Sequence, residues 1–475
     1  GRPSFSGTPH QLTACPWCGS EIRGHHLRVY EAPGDIGRCV TYCGDPLGLC
    51  PFSEREAPRE GLPVMVVDEE IYRRPPSLLI ATVDKFAQMP WKGETQMLFG
   101  KVSGLCPRHG FLSPEIRDAK RHHARGNLPP VASAPHGPLR PPDLIIQDEL
   151  HLISGPLGSM VALYEAAVDE LCSWTVNGAR VRPKVVASTA TIRRAPDQVK
   201  KLFVRQLEVF PPQGTDIRDN FFSLQRPPGP KWPGRRYLGL CAFGRRYPAA
   251  IIRAYVAHMA AAQLLYDRHG RVADPWMTLT GYFNSIRELA GTRRLVEDDI
   301  RARLRDADQR GLAKRRVRMG AVEELTSRKP GGDIPKILDR LDMVFDPAAE
   351  AARRADREEG KRPAPAPYDA ILATNMISVG VDIDRLGLMV VAGQPKNTSE
   401  YIQATSRVGR SAHGPGLVCT VFNWARPRDL SHFERFEHYH ETFYKHVEPL
   451  SVTPFSARAL DRGLSGVLVS LIRLW

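Results

Sequence analysis

The sequence lacks any long apolar run and any export signal. Its longest apolar stretches, such as 386–392, are far too short to cross a bilayer. Residues 1–7 do not show the charged-then-apolar pattern of a secretory signal, so we expect a cytoplasmic protein. The chain also begins Gly1-Arg2-Pro3 without an initiator Met, and we therefore expect a fragment or a processed chain.

A second absence is chemical. No G-x-x-x-x-G-K-[ST] loop occurs, and this is the glycine-rich turn whose backbone amides cradle nucleotide phosphates. A nucleotide site built on such a loop is therefore excluded for this chain alone.

Acidic residues are fewer than basic ones. The chain has 66 Lys and Arg against 52 Asp and Glu, a net charge of +14. An excess of positive charge favours a polyanionic partner, because contacts to phosphates release counterions. A basic protein without such a partner is the alternative. With 475 residues and 42% hydrophobic content, we expect two or three globular domains.

The nine cysteines are not spread as in a disulfide framework. Five crowd the first part of the chain: Cys15, Cys18, Cys39, Cys43 and Cys50. Secreted frameworks are short and even-numbered, so this pattern indicates a reducing compartment and one metal module at about 10–60. We predict structural Zn²⁺ bound by Cys15, Cys18, Cys43 and Cys50, with Cys39 as an alternative to Cys43.

A second group combines Cys106 and His109 with the later His122 and His123. Wide Cys/His spacing of this kind is often coincidental. We interpret Cys106 to His109 as a turn with an incidental histidine, and a second metal site is the alternative.

Prolines and apolar runs predict the domain organisation. We predict a first domain at 1–205, a Pro-rich linker at 206–245, a second domain at 246–430 and the start of a helical extension at 431–475. Residues 346–367, rich in Ala, Pro, Arg and Glu, are predicted to be a solvated or disordered insert.

Short apolar runs alternate with helical patterns, which is typical of parallel α/β sheets. The predicted strands lie at 78–81, 144–146, 185–187, 277–283, 371–373, 386–391 and 417–422. Helices are predicted at 159–174 and 285–310.

An acidic motif follows one of these strands. The apolar run 144–146 delivers Asp148 and Glu149 at its end, where parallel sheets bind ligands. We predict that Asp148 holds Mg²⁺ through water and that Glu149 orients or activates the water that attacks ATP. His151 would sense the nucleotide or relay to the next motif. An acidic surface turn is the alternative.

Three later motifs continue the pattern. Ser188, Thr189, Ala190 and Thr191 end the next strand and would couple the acidic motif to the other domain, although turn capping is the plain alternative. In 374–382, Thr374 would contact a nucleic-acid phosphate, Gly380 would allow close backbone approach and Asp382 would orient an arginine. A glycine-containing turn is the alternative there.

The last motif contains Gln403, Arg407 and Arg410, spaced i, i+4 and i+7. We predict that all three share one face of a helix, with the arginines supplied across a cleft to the γ-phosphate. A solvated basic helix face is the alternative. The glycine between the arginines argues against it, because glycine destabilises a merely structural helix.

These four motifs resemble the D-E-x-H, S/T-A-T, T-x5-G-x-D and Q-x3-R-x-G-R boxes of superfamily 2 helicases over 78–425. The resemblance implies tandem RecA-like domains with an inserted zinc module. It also implies that nucleic acid contacts Thr82, Asp84, Lys85 and Asn284, and that Asn284 lies where the second motor domain opens. Ser406 departs from the glycine of many members.

A narrower resemblance extends over nearly the whole chain. Residues 147–158, 281–289, 324–328, 373–382, 400–407 and 452–456 resemble the DrmA family of DISARM anti-phage defence helicases. This resemblance implies an ATP-dependent motor on DNA with a single-stranded region, working with a methyltransferase and companion subunits. The family's phosphate loop would lie upstream of Gly1. The alternative function is an ATPase-inactive DNA-binding or scaffold protein.

Overall fold

The structure is a computed structural model that describes residues 8–30, 37–116, 118–124, 129–189, 195–212, 214–216, 218–378, 382–411, 414–449 and 451–475. These residues form two compact units. The first unit contains the residues up to Glu208 together with Pro449–Trp475, and the second unit is Val209–Glu448.

A six-stranded sheet forms the centre of the second unit. Every neighbouring pair of strands is parallel. In spatial order the strands are Arg235–Cys241, Gly416–Phe422, Leu388–Ala392, Leu279–Phe283, Ala370–Ala373 and Val322–Leu325. The α/β class predicted from the sequence is therefore confirmed.

The central strands of this sheet are apolar without alternation because both of their faces are covered. Every residue of Leu279–Phe283, Ala370–Ala373 and Leu388–Ala392 is buried. Continuous apolar runs of this kind are characteristic of parallel sheets packed between helices. The strands predicted within 277–283, 371–373, 386–391 and 417–422 are all present.

The second unit also contains helices, which lie between and after these strands along the chain. The α-helices are Tyr247–His269, Asp274–Met277, Ile286–Leu295, Arg301–Arg305, Ile334–Asp342, Pro347–Glu358, Thr398–Thr405, Pro427–Glu434 and Phe436–Thr442, with a π-helical segment at Val296–Ile300. Shorter 3₁₀ turns lie at Gly270–Ala273, Ala307–Arg310, Gly331–Asp333, Asn375–Ser378 and Phe443–His446.

The predicted insert at 346–367 contains a helix that the sequence analysis missed. Pro347–Glu358 is helical, and its N-cap residue Asp346 accepts a hydrogen bond from the Ala349 amide at 2.9 Å. An aspartate cap followed by proline at the first helical position favours a helix start even without an apolar stripe.

The first unit is built from small sheets. Leu144–Gln147 pairs in parallel with Lys184–Ala187. The remaining sheets are antiparallel, and they are Leu27–Tyr30 with Arg38–Thr41, Gly104–Cys106 with Gly110–Leu112 and Ala134–Pro135, Arg121–His122 with Val131–Ala132, and Trp174–Val176 with Ala179–Val181.

Two long helices supply much of the first unit's core. Gly155–Leu171 packs against Ala457–Leu474, and Leu163, Ala167 and Val467 are buried together between them. The other helices of this unit are Asp68–Arg73 and Ala195–Phe203, and 3₁₀ turns lie at Gly24–His26, Val83–Gln88, Gly93–Phe99 and Leu150–Leu152.

The predicted strand at 78–81 is wrong. These residues adopt no regular structure, and the side chain of Ile80 is 87% exposed. Pro75 and Pro76 stand directly ahead of this segment, and no described strand pairs with it. An apolar run becomes a strand only where a neighbour satisfies its backbone groups.

Among the described residues, no helix combines the length and the apolar character that crossing a membrane requires.

Candidate nucleotide and metal sites

The acidic motif forms a tight turn directly after the strand Leu144–Gln147. Asp148 is exposed there, and Glu149 has a φ of 50°, in the left-handed region that few residues other than glycine adopt. This turn lets the chain enter the short helix Leu150–Leu152, in which His151 is buried. Asp148 and Glu149 thus lie in a turn at the carboxyl end of the strand.

Hydrogen bonds fix Asp148 in this turn. The parallel strand Lys184–Ala187 ends beside it, and the Ser188 hydroxyl donates to Asp148 Oδ1. The Glu149 amide donates to the same oxygen at 2.9 Å. The hydroxyl and then the amide lower the pKa of the Asp148 carboxyl, because both stabilise its charged form.

His151 joins the acidic motif to the next motif. Its Nδ1 lies 3.4 Å from Glu149 Oε2 and 3.3 Å from Thr189 Oγ1. The structure thus brings together Asp148, Glu149, His151, Ser188 and Thr189. The other two predicted members of the hydroxyl motif, Ala190 and Thr191, lie outside the described residues.

Three predicted nucleic-acid contacts lie at the start of the 3₁₀ turn Val83–Gln88. Thr82 and Asp84 are exposed. Lys85 is half-buried, and its Nζ donates to Asp68 Oδ2 at 2.6 Å. Thr82 and Asp84 are therefore accessible to a partner, whereas Lys85 already has an acidic one.

In the second unit, two predicted contact residues follow neighbouring parallel strands at the same edge of the sheet. Thr374 comes directly after Ala370–Ala373, and its hydroxyl donates to Asn375 Oδ1 at 3.4 Å. Asn284 comes directly after Leu279–Phe283, and its Nδ2 donates to the Ala392 carbonyl at 3.1 Å. The sheet therefore aligns Thr374 and Asn284 at its carboxyl edge.

The predicted orientation of an arginine by Asp382 has a counterpart in the structure. Arg410 Nη1 donates to Asp382 Oδ1, and both side chains reach solvent. The predicted glycine of this motif, Gly380, lies outside the described residues.

The prediction that Gln403, Arg407 and Arg410 share one helix is wrong. The helix Thr398–Thr405 ends before both arginines. Gly409 has a φ of 64°, and a Cβ on it would lie 2.5 Å from Gly416 Cα. The glycine between the arginines therefore turns the chain away from a helical path and against the next strand.

A residue that the sequence analysis missed stabilises this turn. Arg235 Nε donates to the Val408 carbonyl at 2.8 Å, and its Nη2 donates to the Ser406 carbonyl at 3.3 Å. Within the motif, Gln403 is buried, whereas Arg410 is exposed. No sequence pattern linked Arg235 to this motif, because 173 positions separate it from Val408.

The four cysteines predicted to bind Zn²⁺ converge in the first unit. One sulfur from each of Cys15, Cys18, Cys43 and Cys50 lies within 4.8 Å of all the others, and Cys18 and Cys43 Sγ are 3.4 Å apart. Cys39, the alternative to Cys43, lies in the neighbouring strand and outside this group. Four convergent thiols are a donor set that Zn²⁺ binds in tetrahedral sites.

Two features prepare this cluster for a cation. The Asp45 carboxylate accepts hydrogen bonds from the amides of Leu47, Leu49 and Cys50, which fixes the loop ahead of the last cysteine. Hydrogen bonds with Ser20 lower the pKa of the Cys18 thiol to about 6, whereas burial raises the pKa of the Cys43 and Cys50 thiols. A thiolate is the form in which cysteine binds metal.

A second convergence involves Cys106, His109 and His122, although the sequence favours a turn with an incidental histidine at 106–109. These three and Asp118 place their donor atoms within 4.8 Å of one another. His123 is exposed and outside the group. Sequence reasoning overlooked Asp118, although it stands four positions before His122.

Comparisons with known proteins agree with this architecture. Residues 347–412 match the family model described as "Helicase conserved C-terminal domain". The chain is 44% identical over 468 residues to the DISARM protein DrmA of Bacillus paralicheniformis, which confirms the resemblance predicted from the sequence. That match covers 98% of this chain, and the chain spans 39% of the length of that relative.

A solved structure supports the fold. The crystal structure of the DUF1998 helicase MrfA bound to DNA and AMPPNP superposes with a TM-score of 0.50 and 15% identity. It covers 85% of this chain, which spans 42% of that protein. At this identity the match shows the RecA-like helicase fold and nothing finer.

Proposed function

We propose that this chain is the motor part of an ATP-dependent DNA helicase or translocase that serves bacterial defence against phages. The observation that carries the proposal is the hydrogen-bonded link between two motifs at the ends of parallel strands. Ser188 holds Asp148, and Thr189 lies within hydrogen-bonding distance of His151. A change in the surroundings of the acidic turn would therefore reach the hydroxyl motif directly.

In the proposed reaction, each side chain has a separate task. ATP supplies the phosphoanhydride bond, and Mg²⁺ offsets the charge of its outer phosphates. Asp148 holds the cation through water, and the hydrogen bonds from Ser188 and the Glu149 amide to its Oδ1 fix its orientation. Glu149 orients the attacking water, and His151 responds to the nucleotide.

The second unit would contribute positive charge to the same reaction. Arg407 and Arg410 would stabilise the charge that develops on the transferred phosphate, while Gln403 supports them. Asp382 fixes the guanidinium of Arg410 before the reaction, which reduces the entropy lost on binding. Gly380 would permit close approach of the backbone to the nucleotide.

DNA would be held mainly through its phosphates. We infer contacts from Thr82, Asp84, Lys85, Asn284 and Thr374, and the net charge of +14 favours such a partner. DNA with a single-stranded region is the inferred substrate. The methyltransferase partner, the companion subunits and a cytoplasmic location follow from the same proposal. Zn²⁺ on the four-cysteine cluster would be structural.

The test is ATP hydrolysis with and without single-stranded DNA. It compares this chain with a longer protein that carries a lysine-containing phosphate loop ahead of Gly1. We expect DNA-stimulated hydrolysis by the longer protein, and Glu149→Gln should lower its kcat about 100-fold or more. The exposed Glu437→Gln is the matched control and should leave kcat unchanged.

One result would replace this function by another. If neither protein hydrolyses ATP while both bind DNA, the chain is an ATPase-inactive DNA-binding or scaffold protein. The ordered turn around Asp148 would then serve stability alone.

A further inference from the structure

The convergence of Cys106, His109, Asp118 and His122 has no role in the proposed motor. The two short strands Gly104–Cys106 and Arg121–His122 carry its first and last members. We propose that these four side chains form a second metal site, which binds Zn²⁺ and is distinct from the four-cysteine cluster. The proposal does not depend on ATP hydrolysis.

The distances fit a tetrahedral ion. Cys106 Sγ lies 3.7 Å from His109 Nδ1, and His122 Nε2 lies 3.3 Å from Asp118 Oδ1. With bonds of about 2.3 Å to sulfur and about 2.0–2.1 Å to nitrogen and oxygen, the edges of a tetrahedral site are about 3.3–3.6 Å. The two measured distances between donor atoms, 3.7 Å and 3.3 Å, are thus close to the edge lengths of such a site.

Burial supports the same assignment. Cys106 is 0% exposed, and the side chains of His109 and Asp118 are 6% exposed. A sulfur, two imidazoles and a carboxylate gathered away from water are unfavourable unless something compensates them. A divalent cation bound by all four would compensate them together.

His122 provides an independent indication. Its Nε2 is buried, and among the described residues it makes no contact with hydrogen-bond geometry, although Asp118 Oδ1 is 3.3 Å away. The rings of His109 and His122 are nearly perpendicular at 88°, with centroids 4.6 Å apart. Two imidazoles this close can bind one metal ion together.

Asp118 also has the partners expected of a metal ligand. Arg73 Nη1 donates to Asp118 Oδ2 at 3.1 Å, and the Ala119 amide donates to Oδ1 at 2.8 Å. Such outer contacts orient ligating carboxylates. The competing explanation is a buried ion pair between Arg73 and Asp118, with His109 hydrogen-bonded to the same carboxylate. In it, Asp118 Oδ2 lies 3.1 Å from Arg73 Nη1 and 2.9 Å from His109 Nδ1. That arrangement leaves the buried His122 Nε2 without a hydrogen bond among the described residues.

The donor types select the metal. Thiolate and imidazole favour Zn²⁺ over Mg²⁺ or Ca²⁺, which prefer oxygen ligands. Four protein ligands leave no open position, so the site is structural rather than catalytic. Its effect would be to tie the hairpin at 104–112 to the segment 118–122, where the sheets are only two or three residues long in places.

The test counts metal in the purified chain by inductively coupled plasma mass spectrometry after dialysis against metal-free buffer. We expect two zinc ions per chain. Cys106→Ser should leave one, Cys18→Ser should independently leave one, and the double variant should leave none. His123→Gln, an exposed neighbour outside the cluster, is the matched control and should retain two.

Cobalt distinguishes the sites spectroscopically. In Cys18→Ser protein loaded with Co²⁺, the remaining tetrahedral site should show a charge-transfer band from a single thiolate, lost on adding Cys106→Ser. If Cys106→Ser does not fold, Asp118→Asn replaces it, with zinc affinity expected to fall at least tenfold in chelator competition. The proposal is overturned if Cys18→Ser protein retains no zinc and gives no cobalt band.

Discussion

Both units place predicted motifs at the carboxyl ends of parallel strands, but they support those strands in different ways. In the second unit, Leu279–Phe283 and Leu388–Ala392 are buried at every position. In the first unit, the strand that leads to Asp148 pairs with one parallel strand, and its Leu144 and Ile146 are 49% and 64% exposed.

The difference shows which interactions stabilise each unit. A sheet of six strands between helices is stabilised by apolar burial, which is roughly proportional to the area removed from water. A pair of strands is marginal by itself. The stability of the first unit must therefore also come from helix packing, from hydrogen bonds and, according to our proposals, from two zinc ions.

Removing metal should therefore affect the units unequally, and this is the largest effect we expect. Treatment with 1,10-phenanthroline should accelerate amide exchange in 39–62 and 104–122 by about 10³-fold or more, since structural zinc contributes several kcal/mol to folding. Exchange in Leu279–Phe283 should be unchanged. Hydrogen-exchange mass spectrometry measures both regions in one experiment.

Cys39→Ser is the control for the first cluster, because it removes a neighbouring thiol without removing a ligand. Without chelator, the amides of the Cys39→Ser variant should exchange at the same rates as those of the unaltered protein. Equal acceleration in both units, or none in either, would contradict the proposed dependence on metal.

A matched pair of leucines tests the apolar half of the comparison. Leu372 is fully buried in the second unit's sheet, and Leu144 is half-exposed in the first unit's pair. We expect Leu372→Ala to lower the free energy of unfolding of its unit by about 2–5 kcal/mol. Leu144→Ala should lower that of its own unit by less than about 1 kcal/mol.

Urea unfolding followed by hydrogen exchange in each unit provides both values. Similar losses for the two leucines would mean that Leu144 is covered in solution. The contrast between the two sheets would then be smaller than the structure indicates.

The same contrast explains what the sequence predicted well. Continuous apolar runs identified the strands 279–283, 370–373, 388–392 and 416–422 because burial on both faces leaves a simple signal. The run at 78–81 carries an equally apolar signal but lacks a partner strand among the described residues. Composition alone cannot distinguish these cases, because pairing depends on residues distant in sequence.

The sites show a similar division. Cys15, Cys18, Cys43 and Cys50 were predicted from short-range spacing, which reflects local loop geometry. The spacing of Gln403, Arg407 and Arg410 predicts one helix, yet Gly409 approaches Gly416 too closely for a helix to continue. Asp118 had no signal of its own, since any surface aspartate has the same appearance in a sequence.

Buried carboxyls provide the smallest and sharpest test of the comparison. In the second unit, Asp369 is buried against Arg315, with 3.0 Å between oxygen and nitrogen. In the first unit, Glu165 is buried in the helix Gly155–Leu171, and no ion pair to it is found among the described residues. Desolvation, and then the charge of Asp169, raise the pKa of Glu165 to about 7.

The sign of the pH dependence follows from this shift. An acid whose pKa is raised by folding binds its proton more tightly in the folded state, so stability falls as pH rises from 4.5 towards 7. Glu165→Gln removes this loss. We compare the free energy of unfolding of the Glu165→Gln variant with that of the unaltered protein. The variant's value minus the unaltered protein's value should increase by about 2–3 kcal/mol from pH 5 to pH 8.

Urea unfolding of the first unit at these two pH values measures that difference, and the exposed Glu69→Gln should show none. A pH-independent effect of Glu165→Gln would mean that the carboxyl is solvated or paired in solution. The contrast between Glu165 and Asp369 would then disappear, and the first unit would be distinguished by its small sheets and its metal ligands.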